Sequence, residues 1–96
     1  MINKKLQKAF NQQINAETYS AYLYLSMAAN LESMGLDGFA NWMKCQAQEE
    51  MSHAMKFYTH ILDRGGEVEL LAIEKPQTKW DSVMDIFKAA YKHEQK

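Results

Sequence analysis

Three carboxylates and one imidazole occupy positions where the periodicity of this chain calls for hydrocarbon. Phe10, Ile14, Glu17, Ala21, Tyr24, Ala28 and Leu31 alternate spacings of four and three, which keeps them on one helix face. Phe39, Met43, Gln46, Glu50, His53 and Phe57 repeat the pattern, and Trp80, Val83, Phe87, Ala90 and Glu94 do so again. Glu17, Glu50, His53 and Glu94 therefore stand on apolar stripes. A carboxylate taken out of water loses the solvation of its charge, so inward-pointing carboxylates need a proton or a cation. A metal ion meets that need for all of them at once. Glu50 and His53 form a Glu-x-x-His pair at i, i+3, which brings both side chains to one side of a helical turn. Alone, such a pair also serves as a surface ion pair or a satisfied core histidine. Its place between Met43 and Phe57, with carboxylates on two other stripes, favours metal. Oxygen-rich ligation with a single imidazole suits iron or manganese better than structural zinc, which takes Cys and His.

Tyr24 lies seven residues after Glu17 on the same stripe, so its hydroxyl either approaches the site or fills the core with a buried hydrogen bond. Glu49 is rotated about 100° from Glu50 and either flanks the site or faces solvent. His60 and His93 lack a carboxylate at matching spacing on a buried face and read as peripheral. Met27, Met34, Met51 and Met55 read as packing, the usual use of a flexible thioether in helical cores. Cys45, the single cysteine, forms no disulfide within the chain and fits a reducing compartment as a partly buried helix residue.

The elements that must position these residues are helical. From Asn3 to about Ser33 there is no Pro or Gly, and good helix formers dominate. Gly35 and Gly38 bracket a short turn that reverses the chain, and Phe39 to Arg64 is a second helix closed by Gly65-Gly66. Between Gly66 and Trp80, around the single proline, Pro76, no period is sustained. Such a connection can extend about 46 Å, more than the about 39 Å length of the second helix. It can run the length of a bundle and set the third helix parallel to the second. That helix starts near Asp81 or Ser82, where Ser82 and Asp85 resemble a capping box, and meets Lys96 without a stop signal, which reads as an interruption.

With 96 residues the chain makes one small domain, for which oligomerisation would add burial. Its 47% hydrophobic and 24% charged residues place it among globular proteins rather than disordered ones. A net charge of −1 gives no basis for a nucleic-acid partner, and Lys4, Lys5 and Lys8 read as a solvated face. There is no apolar run of about 18 residues and no apolar leader segment, so a soluble, cytoplasmic protein without a membrane partner is expected.

The run Glu17-x-Tyr19-x-x-Tyr22-x-Tyr24-Leu25 resembles a prokaryotic non-haem ferritin. So do Gly38-Phe39-Ala40-x-Trp42-Met43, Gln48-Glu49-Glu50-x-x-His53-Ala54, Arg64-Gly65-Gly66 and Ile73-Glu74-Lys75-Pro76. The resemblance covers the whole sequence and corresponds to roughly the first half of such a protein. It implies an all-α, ferritin-like four-helix bundle of which residues 1–96 form two helices and part of a third. It also implies a cytoplasmic homo-oligomeric iron store whose di-iron ferroxidase centre oxidises Fe(II) with oxygen or peroxide, other divalent metals being able to substitute. Carried over by position, Glu17 and Glu94 would be outer ligands of the two irons, Glu50 the bridging carboxylate and His53 the single imidazole. Glu49 would help to hold a third iron, and Tyr24 would stand by as an electron donor. The fourth-helix ligands of the family, a Gln and further Glu residues, fall outside this sequence. Two rivals remain: a rubrerythrin-like di-iron peroxidase, which would want a second Glu-x-x-His and usually a Cys-rich module, and a helical fragment that only self-assembles.

Overall fold

The computed structural model describes residues 1–95 and contains three helices and no strands among them: α1 (Lys4–Ser33), α2 (Asp37–Asp63) and α3 (Val83–Glu94). Two of the three starts have a side-chain cap. Asn3 caps α1 by accepting from the Leu6 amide at 2.8 Å, and Ser82 caps α3 by accepting from the Asp85 amide at 3.1 Å. The turn after α1 places Gly35 at φ 76°, a left-handed conformation that favours glycine.

α1 and α2 form an antiparallel pair along most of their length. Ala40, Ala47 and Ala54 recur every seven residues on the buried face of α2, opposite Ile14, Ala21, Ala28 and Leu31. Methyl side chains on that seam let the two backbones approach closely, and Met27, Met43 and Ile61 fill the remaining space. The core stripe of α2 is thus built on alanines. Phe39, expected to face inward, is 50% exposed and meets Phe87 edge-on at 5.2 Å between ring centroids. Cys45 is likewise exposed, rather than partly buried.

The connection from α2 to α3 carries no regular structure, yet α1 holds it residue by residue. Buried Asn11 donates to the Glu67 carbonyl at 3.0 Å and accepts from the Glu69 amide at 2.9 Å. Asn15 reaches the Leu71 and Ala72 carbonyls, Ser26 the Gln77 carbonyl, and Asn30 the Thr78 carbonyl. Successive crossover residues meet successive α1 residues, so the segment climbs parallel to α1. α3 then descends from the Leu36 end toward Ser20, antiparallel to α1 and parallel to α2, as the crossover length predicts. Ile86, fully buried, and Phe87, beside Phe39 and Trp42, seat its first half.

Candidate metal centre

The buried apolar residues fall into two clusters. One spans Ala21 to Leu31, Ala40 to Ala47 and α3; the other gathers Ile14, Ala54 and Ile61. Glu17, Glu50 and His53 occupy the seam between them. One ligand atom from each lies within 4.8 Å of the others, the spacing at which a single cation can be shared. His53 Nδ1 stands 3.5 Å from Glu50 Oε2 and 3.7 Å from Glu17 Oε2. The other oxygen of Glu17 accepts from Gln13 Nε2 at 3.0 Å, which fixes the carboxylate against rotation. Only 12% of the Glu50 side chain and 17% of the Glu17 side chain remain exposed.

Packed this closely, the two carboxylates do not share charge equally. Burial, then the Glu17 carboxylate and the Glu94 charge, push the Glu50 carboxyl up to about 7, against an opposing pull from His53. Burial acts on Glu17 in the same direction, but hydrogen bonds from Glu50 and Gln13 and the neighbouring His53 outweigh it and hold Glu17 below its ordinary range. Without metal, the pair therefore favours one shared proton below about pH 7, held on the Glu50 side. A divalent cation at the same point would replace that proton and satisfy both oxygens.

The other expected residues take distinct places. Tyr24 is buried, and its hydroxyl makes no hydrogen bond of ordinary geometry among the described residues. Burial, the approaching Glu94 carboxylate and the Glu50 charge all raise its phenol pKa well above the usual range. An orphaned hydroxyl beside the carboxylates is a group that a metal-bound water or ligand could satisfy. Glu94 lines the same open cleft of about 360 Å³ as Glu17, Glu50 and His53, but it is exposed and stands outside their three-residue group. Glu49 faces solvent and does not line that cleft. His60 stays outside that cleft but lines a neighbouring one with Glu17 and His53, its Nδ1 accepting from Arg64 at 3.0 Å and its ring edge-on to Phe10.

His93, which the sequence reading set at the periphery, is instead in the cleft wall. Its Nε2 and Ser20 Oγ share a hydrogen bond of 2.7 Å, and its ring packs edge-on to Tyr24 at 5.9 Å and tilted to Tyr19 at 6.2 Å. A second stripe on α3, Val83, Ile86, Ala90 and His93, fits the spacing as well as the one ending in Glu94, and fully buried Ile86 shows that it is real. Gln13, also missed, stands one turn before Glu17 on the same face, where an i, i+4 partner is expected.

Among the described residues no helix is long and apolar enough to cross a membrane. Residues 7–96 match the family model of the ferritin-like domain. The bacterial non-heme ferritin of Bacteroides fragilis strain 638R is 45% identical over 94 residues, covering 98% of this chain and 59% of the relative. That of Staphylococcus aureus strain USA300 is 38% identical over 95 residues, covering 99% and 57%. Among solved structures, the open pore ferritin of the hyperthermophilic archaeon Archaeoglobus fulgidus superposes with a TM-score of 0.95 at 53% identity, over 99% of this chain and 59% of that one. A humanized archaeal ferritin gives the same TM-score at 50% identity. The chain thus spans a little under three fifths of the length of these relatives, and over that span both sequence and helix arrangement agree: it belongs to the ferritin-like domain family.

Proposed function

We propose that residues 1–96 form a ferritin-like domain that takes Fe(II) as its substrate at Glu17, Glu50 and His53, oxidises it to Fe(III), and serves iron storage in a cytoplasmic homo-oligomer. The observation that carries this reading is the convergence, within 4.8 Å, of two carboxylates and an imidazole from two helices at the gap between two apolar clusters. Family membership and the ferritin relatives support it.

Each residue has a chemical task. Glu50, whose Oε2 stands 3.5 Å from His53 Nδ1, would give up its proton as Fe(II) arrives and serve as the bridging ligand. Glu17, held by Gln13, supplies a fixed negative oxygen, and His53 an imidazole nitrogen whose affinity for Fe(II) exceeds that of water. Glu94, which lines the same cleft, would serve as the ligand for a second iron, and exposed Glu49 would help to hold a third. Two Fe(II) ions give one electron each to dioxygen, which takes up two protons and leaves as hydrogen peroxide; peroxide, accepting two electrons and two protons, leaves as water. Carboxylates suit this change because their charge stabilises Fe(III) more than Fe(II). Tyr24, beside the carboxylates, would be the donor of a further electron. Other divalent ions fit the same ligands.

Assembly of copies would cover apolar side chains left in solvent, among them Trp42, Leu25 and Met55 at about half exposure. The deciding experiment follows ferric absorbance after adding Fe(II) in air. Glu50→Ala should slow oxidation by about tenfold or more, because it removes the shared ligand, while Glu67→Ala, whose side chain faces solvent far along the chain from the cleft, should not. Equal rates in the two variants would place any iron chemistry elsewhere and overturn this function.

A further inference from the structure

α3 is seated firmly at its start and more lightly near its end. Ile86 and Phe87 lock its first turns, whereas its last turn lies against α1 through His93, which enters a slot formed by Tyr19, Ser20 and Tyr24. The next residue, Glu94, is exposed and stands apart from the Glu17, Glu50 and His53 group while lining the same cleft. The His93 contact therefore bears on how near the Glu94 carboxylate comes to the metal group, together with the approach of Glu94 itself to buried Tyr24.

We propose that His93 is a positioning residue of the metal centre, its imidazole pinned between Ser20, Tyr19 and Tyr24 so that the last turn of α3 delivers the Glu94 carboxylate to the second metal position. This rests on the metal reading of Glu17, Glu50 and His53. The slot discriminates by shape and by hydrogen bonding: the ring must be flat enough to lie edge-on to Tyr24, and its distal nitrogen must reach Ser20 Oγ. A turn near the end of a helix frays easily when no side chain holds it. Without His93, Glu94 would sample many positions, and a metal at the second position would lose a ligand already held in place.

Co(II) reports this directly, since its visible absorption bands depend on ligand number and geometry and it needs no oxidation. The unaltered chain should bind Co(II) in a tight step abolished by Glu50→Ala and in a weaker step abolished by Glu94→Gln. His93→Ala should weaken the second step by roughly ten- to a hundredfold, the cost typical of removing a residue that orients a ligand, and leave the first step unchanged. His93→Gln, whose amide can reach Ser20 Oγ, should recover much of the loss, and Ser20→Ala should fall between. Circular dichroism of each variant separates this from loss of helix. A second step indifferent to His93→Ala, or the absence of any step removed by Glu94→Gln, overturns the positioning role alone. Co(II) binding indifferent to Glu50→Ala defeats the metal reading itself, and this proposal with it.

Discussion

Replacing Glu50 by Gln tests the shared proton at the centre of the site, and the metal-free and metal-loaded proteins should respond with opposite signs. Glu50 has an ordinary value of 4.5 in the unfolded chain and about 7 in the folded one. Between those two pH values the folded state holds more protons than the unfolded state, so stability falls as pH rises through the window, and the full cost is present above pH 7. The difference, 7 − 4.5 = 2.5, corresponds at 1.36 kcal/mol per pH unit to an upper bound of about 3 kcal/mol. Glu17 offsets part of this, because its lowered value contributes stability above 4.5. Glutamine keeps the shape and the hydrogen-bonding capacity but never ionises. In chelator-treated protein, Glu50→Gln should therefore be more stable than the unaltered chain at pH 8 and nearly equal at pH 5. For a chain of this size, each kcal/mol moves the melting temperature by roughly 4–8 °C, so the pH 8 difference should be on the order of 10 °C. Adding Co(II) at pH 8 should raise the melting temperature of the unaltered chain and leave the variant where it was. Thermal unfolding of both proteins followed by circular dichroism, at both pH values with and without Co(II), measures these differences. A metal-free variant destabilised equally at pH 5 and pH 8 would refute the shared-proton argument.

Two further substitutions probe the surroundings of the site. Tyr24→Phe removes a buried hydroxyl that makes no regular hydrogen bond, so metal-free protein should gain about 1–3 kcal/mol in urea unfolding; a loss of that size would mean that the hydroxyl is satisfied in solution. Gly66→Ala would place its new methyl 2.7 Å from Ile2 Cγ2 and 3.0 Å from Ile61 Cγ2, so the same assay should show a loss of about 1–3 kcal/mol, and an unchanged midpoint would mean that the start of the crossover yields freely.

The helices and their order were legible because Gly35, Gly38, Gly65, Gly66 and Pro76 interrupt long periodic runs and nothing else does. Glu17, Glu50 and His53 were legible for a related reason: a charged residue on an apolar stripe is conspicuous against its neighbours. The face of α3 was not, since stripes through Phe87 and Glu94 or through Ile86 and His93 fit twelve residues equally well. Packing against α1 chose, and it brought His93 into the cleft wall. The alanine seam of α2 was hidden too. Periodicity weighs large side chains most heavily, whereas close helix approach is decided by small ones, so Phe39 took the place that belongs to Ala40. The anchoring of the crossover by Asn11, Asn15, Ser26 and Asn30 has no periodic signature, because its partners are backbone carbonyls more than forty residues away.

That anchoring turns the crossover into a measured length. Between Asn15 and Ser26, α1 rises about 16 Å at 1.5 Å per residue. The crossover covers the same rise from Ala72 to Gln77, five residues whose fully extended reach is about 17 Å. There is almost no slack, and buried Pro76 stiffens the taut stretch further. Deleting one residue here would leave the chain too short to hold both anchors, whereas an added residue could bulge into solvent. The two kinds of length change are therefore unequal. Shortening would pull the start of α3 along the bundle and move its last turn away from Ser20, so a change some twenty residues before His93 would be felt at the cleft of Glu17, Glu50 and His53; lengthening would be absorbed before it reached α3.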